Sequence, residues 1–253
     1  ASAPEADEFE RVDVGVFSFS DWSGPEIDIH YAEPFHVAAD APVIIVMHGV
    51  NRNADDYRDN WIDLADEYGL AIYSPEFDAE RFPRAASYNL GGLDRETGRT
   101  FDAIEPLFDA VKERRKLTSE GYYLFGHSAG GQFVHRFVML ADPKRLKLAL
   151  AANSGWYTLP SEEQEWPYGL AGRELRADAL DAMFDRPMVV LLGDQDTDSM
   201  DPNLRRTPEA IDIVDNLCAM GSVAESATKR ATQGAMENTL FGKKMHASSC
   251  NFH

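Results

Sequence analysis

The chain has 253 residues, 44% of them hydrophobic, and a formal charge of −19 at pH 7. That is enough apolar material for a sizeable core, and α/β folds of this length often form one domain. The acidity is spread along the chain without a Lys/Arg cluster or basic and aromatic interleaving, which argues against nucleic acid and anionic membranes as partners. It also weighs against a polyanionic substrate.

The opening ASAPEADEFE lacks the basic and apolar regions of a signal peptide, and no apolar run approaches the roughly 18 residues needed to span a bilayer. Residues 1–10 are expected to be flexible. They read as the start of a mature exported chain, periplasmic or secreted, in preference to a cytoplasmic tail. Cys218 and Cys250 are too few for a metal framework and lack C-x-x-C spacing, so one disulfide and two free thiols both stay open.

Apolar runs alternate with longer periodic segments, the pattern of a mostly parallel central sheet flanked by helices. In chain order the expected strands are Val12 to Phe19, Glu26 to Tyr31, Val43 to His48, Leu70 to Ser74, Tyr122 to Phe125, Lys147 to Ala152 and Met188 to Leu192. Helices are expected over Ala54 to Glu67, Thr97 to Lys116, Ala129 to Leu140, Glu174 to Phe184, and a segment after Pro208. Asn53 is the expected N-cap of the first, with Asp55 and Asp56 in the first turn where the helix dipole favours them. The Trp- and Pro-containing stretch from Asn153 to Gly172 reads as an excursion over the carboxyl edge of the sheet, where α/β sheets bind ligands. No internal repeat or low-complexity linker divides the chain, so residues 1–253 are expected to form one domain.

The most informative stretch is YYLFGHSAGGQFVHRFVML, residues 122–140. A short apolar run enters Gly126-His127-Ser128-Ala129-Gly130 and an amphipathic run leaves it. A bare G-x-S-x-G is weak evidence. Strand, small flanking residues and a following helix together are what a nucleophile elbow requires: the turn is strained, and the helix dipole supports negative charge beside Ser128. Side chains at Gly126 and Gly130 are expected to collide with the neighbouring strand and helix.

A serine hydroxyl needs a base, an orienting acid and oxyanion donors. The acid is sought after the seventh strand, in LLGDQDTD, where Asp196 is preferred and Asp194 stands behind it. The donors are sought in two backbones, the amide of Val50 in VIIVMHGVNRN and that of Ala129. His48 reads as a support for the loop beneath the oxyanion site, and is also carried as a candidate substrate contact with His127, Trp156 and Tyr157. His127 is expected to project away from the Ser128 hydroxyl, and His135 to be a helix-face residue. Trp156, Tyr157, Trp166 and Tyr168 either line an acyl or aryl pocket or pack over the sheet edge.

On these residues the chain resembles the α/β-hydrolase superfamily, specifically the esterase branch with polyhydroxybutyrate depolymerase-like and feruloyl esterase-like enzymes. HGVNRNADDY, GHSAGGQFVHRF, NSGWYTLP and LLGDQDTD with LRRTPEA carry the resemblance, over Val43 to about Ala210. It implies acyl transfer to water through an acyl-enzyme, without a metal or organic cofactor. It implies Ser128 as nucleophile, Asp196 as orienting acid, and Val50 and Ala129 as oxyanion donors, acting on a small or polymer-end ester.

The base departs from the family pattern. The branch delivers its histidine on a P-G-V-G-H loop, whereas this chain ends ENTLFGKKMHASSCNFH. His246 falls about where that histidine belongs and is nominated; His253 is the alternative. From residue 211 to 253 the composition departs from the family, as an altered reading frame produces. Two further functions therefore stay in view: a pseudo-hydrolase that binds an ester-like or aromatic ligand, and a peptide or amide hydrolase.

Overall fold

The computed structural model describes residues 11–95, 98–173, 175, 178–192 and 207–208. Asp194, Asp196, Cys218, His246, Cys250, His253 and the expected helix after Pro208 lie outside the described residues.

Among the described residues seven strands form one sheet in the order β1-β2-β4-β3-β5-β6-β7. They are β1 (Val12–Phe19), β2 (Ile27–Pro34), β3 (Val43–Met47), β4 (Ala71–Glu76), β5 (Tyr122–His127), β6 (Leu146–Ala152) and β7 (Met188–Leu191). Every expected strand is present, with ends displaced by at most three residues. Only β2 runs against the others: it pairs antiparallel with β1 and β4, while β4, β3, β5, β6 and β7 pair in parallel. The short β1–β2 connection, residues 20–26, permits an antiparallel pair, whereas the parallel strands need helical crossovers.

The helices are α1 (Ala54–Asp59), α2 (Ile62–Tyr68), α3 (Arg84–Ser87), α4 (Ile104–Arg115), α5 (Ala129–Leu140) and α6 (Ala179–Phe184). The helix expected over Ala54 to Glu67 is two, because the chain tightens at Asn60 and Trp61, where the Trp61 N–H turns to the Arg58 carbonyl at 3.0 Å. Asn53 holds the N-cap position of α1 without capping it. Its amide donates to the Asp56 carboxylate at 2.7 Å, so its oxygen is not turned to the helix amides. A 3-10 turn, Thr100–Ala103, leads into α4, whose Pro106 lies in the first turn where no intrahelical N–H is needed. Residues 174, 176 and 177, the expected start of the helix ending at Phe184, lie outside the described residues.

β3 is buried at all five positions between β4 and β5. α5 is buried from Ala129 through Met139, because it packs on β5 and β6 on one side and is covered by the 153–172 excursion on the other. Phe133 anchors an aromatic cluster, 4.9 Å from Phe101, 5.6 Å from Tyr88 and 6.0 Å from Phe77 between ring centroids. Among the described residues no helix is long and apolar enough to cross a membrane.

The strand order reverses direction between β3 and β5: from β3 the chain goes first to β4 on one side, then crosses back to β5 on the other. The carboxyl ends of β3 and β5 therefore flank the switch point, where α/β sheets open a crevice for ligands.

Candidate active site

Ser128 sits at that switch point, on the turn from β5 to α5. Its backbone adopts φ 56° and ψ −117°, outside the regions that L-residues favour. The turn is fixed on both sides: the Ser128 N–H donates to the Ala152 carbonyl of β6 at 3.0 Å, and its carbonyl accepts the Gln132 N–H at 3.0 Å. The side chain is half-buried.

The flanking glycines make the turn possible. A Cβ on Gly126 would run into the Gly130 backbone and the Val134 side chain of α5, and one on Gly130 would strike the carbonyls of Met47 and His48. Collisions with strand and helix are therefore both there, Gly126 meeting the helix and Gly130 the end of the strand. Gly130 also brings the first turn of α5 against the end of β3, which puts the loop carrying Val50 beside the elbow. Ala129, as the first residue of α5, has an N–H without an intrahelical acceptor. Val50 is 72% exposed in the turn after β3.

His48 supports this loop from below. It has no exposed surface, its Nδ1 meets the Gly49 carbonyl at 3.0 Å, and its Nε2 accepts the Phe77 N–H at 3.0 Å. Its ring stacks 4.6 Å from Tyr88, whose hydroxyl donates to the His48 carbonyl at 2.7 Å. Burial holds its pKa down to about 4. The expectation that His48 touches substrate is thus corrected: both nitrogens are engaged and no surface remains. Arg52 clamps the facing loop, donating to the carbonyls of Phe77 (2.6 Å), Phe82 (3.1 Å) and Arg84 (3.2 Å) while lying 4.2 Å over Tyr88.

His127 is half-buried and directed at α1, where its Nδ1 meets the Tyr57 hydroxyl at 3.0 Å. His135 is more than a helix-face residue. Fully enclosed, with burial and neighbouring Arg136 holding its pKa well down, it accepts the Thr158 N–H at 3.1 Å. Arg136, also fully buried, donates to Thr158 Oγ1 (2.8 Å) and the Asn89 carbonyl (3.0 Å), and Asn89 donates to Gln132 Oε1 (2.8 Å).

These residues pin the excursion that follows β6. Trp156 and Tyr157 are only 6% and 7% exposed: the Arg136 guanidinium lies 4.2 Å over Trp156, and Tyr157 packs 5.0 Å from His135. Both rings thus pack on α5, Trp156 against the Arg136 guanidinium and Tyr157 against His135. Sequence reading missed Tyr57, Gln132, Arg136 and Asn89. Tyr57 closes the HGVNRNADDY segment, and its only signal was the glycine opposite it, Gly49, which leaves room for the hydroxyl.

β7 pairs with β6 in parallel, Ala152 against Leu191, and the Asn153 N–H donates to the Leu191 carbonyl at 2.8 Å. The chain therefore leaves β7 at the carboxyl edge, one strand beyond the strand that holds the Ser128 N–H. Asp196 and His246 lie outside the described residues.

A mostly parallel sheet with a strained serine turn between an inner strand and a buried helix defines an α/β hydrolase. Poly(aspartic acid) hydrolase-1 from Sphingomonas sp. KT-1 matches with a TM-score of 0.76 and 40% identity, over 79% of this chain and 78% of that one. A poly(3-hydroxybutyrate) depolymerase from Bordetella parapertussis matches with a TM-score of 0.71 and 35% identity, over 79% and 71%. The chain belongs to the esterase branch of the α/β-hydrolase superfamily that holds these polymer hydrolases. A bifunctional acetylxylan esterase/xylanase from Neocallimastix patriciarum is 24% identical over 110 residues, 43% of this chain but only 15% of that protein's length. No protein-family model matches the chain.

Proposed function

We propose that the protein is a serine hydrolase that cleaves carboxylic esters through an acyl-enzyme. The observation that carries this is the backbone of Ser128, held at φ 56° and ψ −117° on the turn between β5 and α5. Strain of this kind is maintained only where surrounding structure over-determines it, and it lifts the hydroxyl out of the sheet edge.

Ser128 Oγ attacks the ester carbonyl carbon while His246 accepts its proton and Asp196 holds the resulting imidazolium. The amides of Val50 and Ala129 take the oxyanion, each donor worth about 10² to 10³ in rate. The intermediate collapses as His246 returns the proton to the departing alcohol. Water then repeats the sequence on the acyl-enzyme, releasing the acid and restoring Ser128.

Polymer-end or small soluble esters are the proposed substrates, in keeping with the poly(3-hydroxybutyrate) depolymerase match. A second reading, amide hydrolysis, is favoured by the poly(aspartic acid) hydrolase match at 40% identity. The net charge of −19 stands against a polyanionic chain as substrate and places the ester first. The test is steady-state hydrolysis of a short-chain p-nitrophenyl ester with Ser128→Ala as the blank. Turnover that falls by about 10⁴ or more in the variant supports the reading. Folded wild-type protein without turnover overturns it in favour of a binding protein with an incomplete triad. Faster cleavage of an aspartyl polymer than of any ester moves the substrate to the amide class.

A further inference from the structure

Two amides on separate loops serve one oxyanion only when the loops are held at a fixed spacing. Val50 follows β3 and Ala129 follows β5, and one side chain reaches both segments. The Tyr57 hydroxyl, on α1, meets Nδ1 of His127 at 3.0 Å, one residue before Ser128. The same hydroxyl packs on Gly49, one residue before Val50, where an added Cβ would stand 2.6 Å from it. Burial pushes the Tyr57 phenol up, outweighing the opposite pull of the Gly49 backbone, so the hydroxyl stays protonated beside His127.

We propose that Tyr57 is a positioning residue: with His127 it latches the Gly49–Val50 loop to the serine turn and so sets the spacing of the two oxyanion donors. The inference rests on the serine-hydrolase reading above. Tyr57 touches no reacting atom in this role; it acts through the backbone on either side of its hydroxyl. The hydroxyl is what matters, since the ring alone can fill the space beside Gly49 but makes no link to His127. A glycine at position 49 is required for the same reason, because any side chain there would displace the hydroxyl.

The test is Tyr57→Phe in the full chain, assayed on the short-chain p-nitrophenyl ester. We expect kcat to fall about tenfold to hundredfold with KM within about twofold, as for a donor displaced by a fraction of an ångström. Binding of phenylboronic acid, whose tetrahedral adduct on a serine places an oxygen in the oxyanion site, is expected to weaken by a similar factor. A packing role alone would lower the melting temperature and leave both quantities in place. His127→Ala removes the other end of the latch and is expected to behave alike, and the double variant to lose no more than the larger single loss. If Tyr57→Phe does not fold, His127→Ala carries the same test. Ser128-dependent turnover that survives these variants with wild-type kcat overturns the latch alone, as do losses that multiply in the double variant. Wild-type protein without Ser128-dependent turnover overturns the serine-hydrolase reading, and the latch with it.

Discussion

β3 and β7 are built from nearly the same residues, Val-Ile-Ile-Val-Met and Met-Val-Val-Leu, and the fold treats them oppositely. β3 lies between two parallel neighbours and is buried at every position. β7 pairs with β6 alone among the described residues, and Met188 and Val190 are 36% and 41% exposed. Composition marks both as strands; position in the strand order decides how much each contributes. The loop that follows β3 is correspondingly determined, with His48, Arg52, Tyr57 and Tyr88 all fixing it, and this is the loop that carries Val50.

Truncation is the strongest way to test that contrast. Ile45→Ala, at a site without exposed surface, is expected to cost about 2 to 5 kcal/mol, while Val190→Ala costs under about 1. Urea unfolding of the two variants checks this, and equal losses would mean that β7 is as enclosed as β3. Gly130→Ala probes the same junction from the helix side. Its Cβ meets two backbone carbonyls that cannot swing away, so a loss of about 3 kcal/mol is expected, with hydrolase activity falling as the elbow moves.

A third handle is pH. The folded pKa of His48, about 4, lies below its ordinary value of 6.5, so the unfolded chain binds the extra proton first. Stability is therefore full above about pH 6.5 and declines as pH falls towards 4, by up to about 3 kcal/mol. His48→Gln is expected to flatten that slope in denaturation midpoints measured across the window; an unchanged slope would show that His48 titrates alike in the folded and unfolded states. The smallest expected effect belongs to Trp156. Trp156→Phe is expected to cost about 1 kcal/mol through its contact with Arg136 and to leave the acyl-chain preference as it was. A changed preference would return Trp156 to the pocket.

Much of the frame is legible in the sequence because it is local. The apolar runs located all seven strands, and the pairing of glycines around Ser128 announced the strained turn before any geometry was known. What stayed hidden depends on partners distant in the chain. Nothing near Asn53 tells that its amide turns to Asp56, and nothing near Trp156 tells that Arg136, 20 residues earlier on α5, lies across its ring. Tyr57 belongs to the same class: it looks like an accessible polar residue on a helix, and it is defined by a contact with the serine turn. The orientation of β2 was equally silent, since alternation of side chains is the same in parallel and antiparallel strands.

The central claim is that Ser128 forms a covalent acyl intermediate. Mass spectrometry of the protein quenched during turnover of a slowly deacylated p-nitrophenyl ester tests it most directly. The account predicts one acyl group, mapped to the peptide containing Ser128 and missing in Ser128→Ala. Turnover with no acyl group on that peptide, or with the label on another residue, would contradict it.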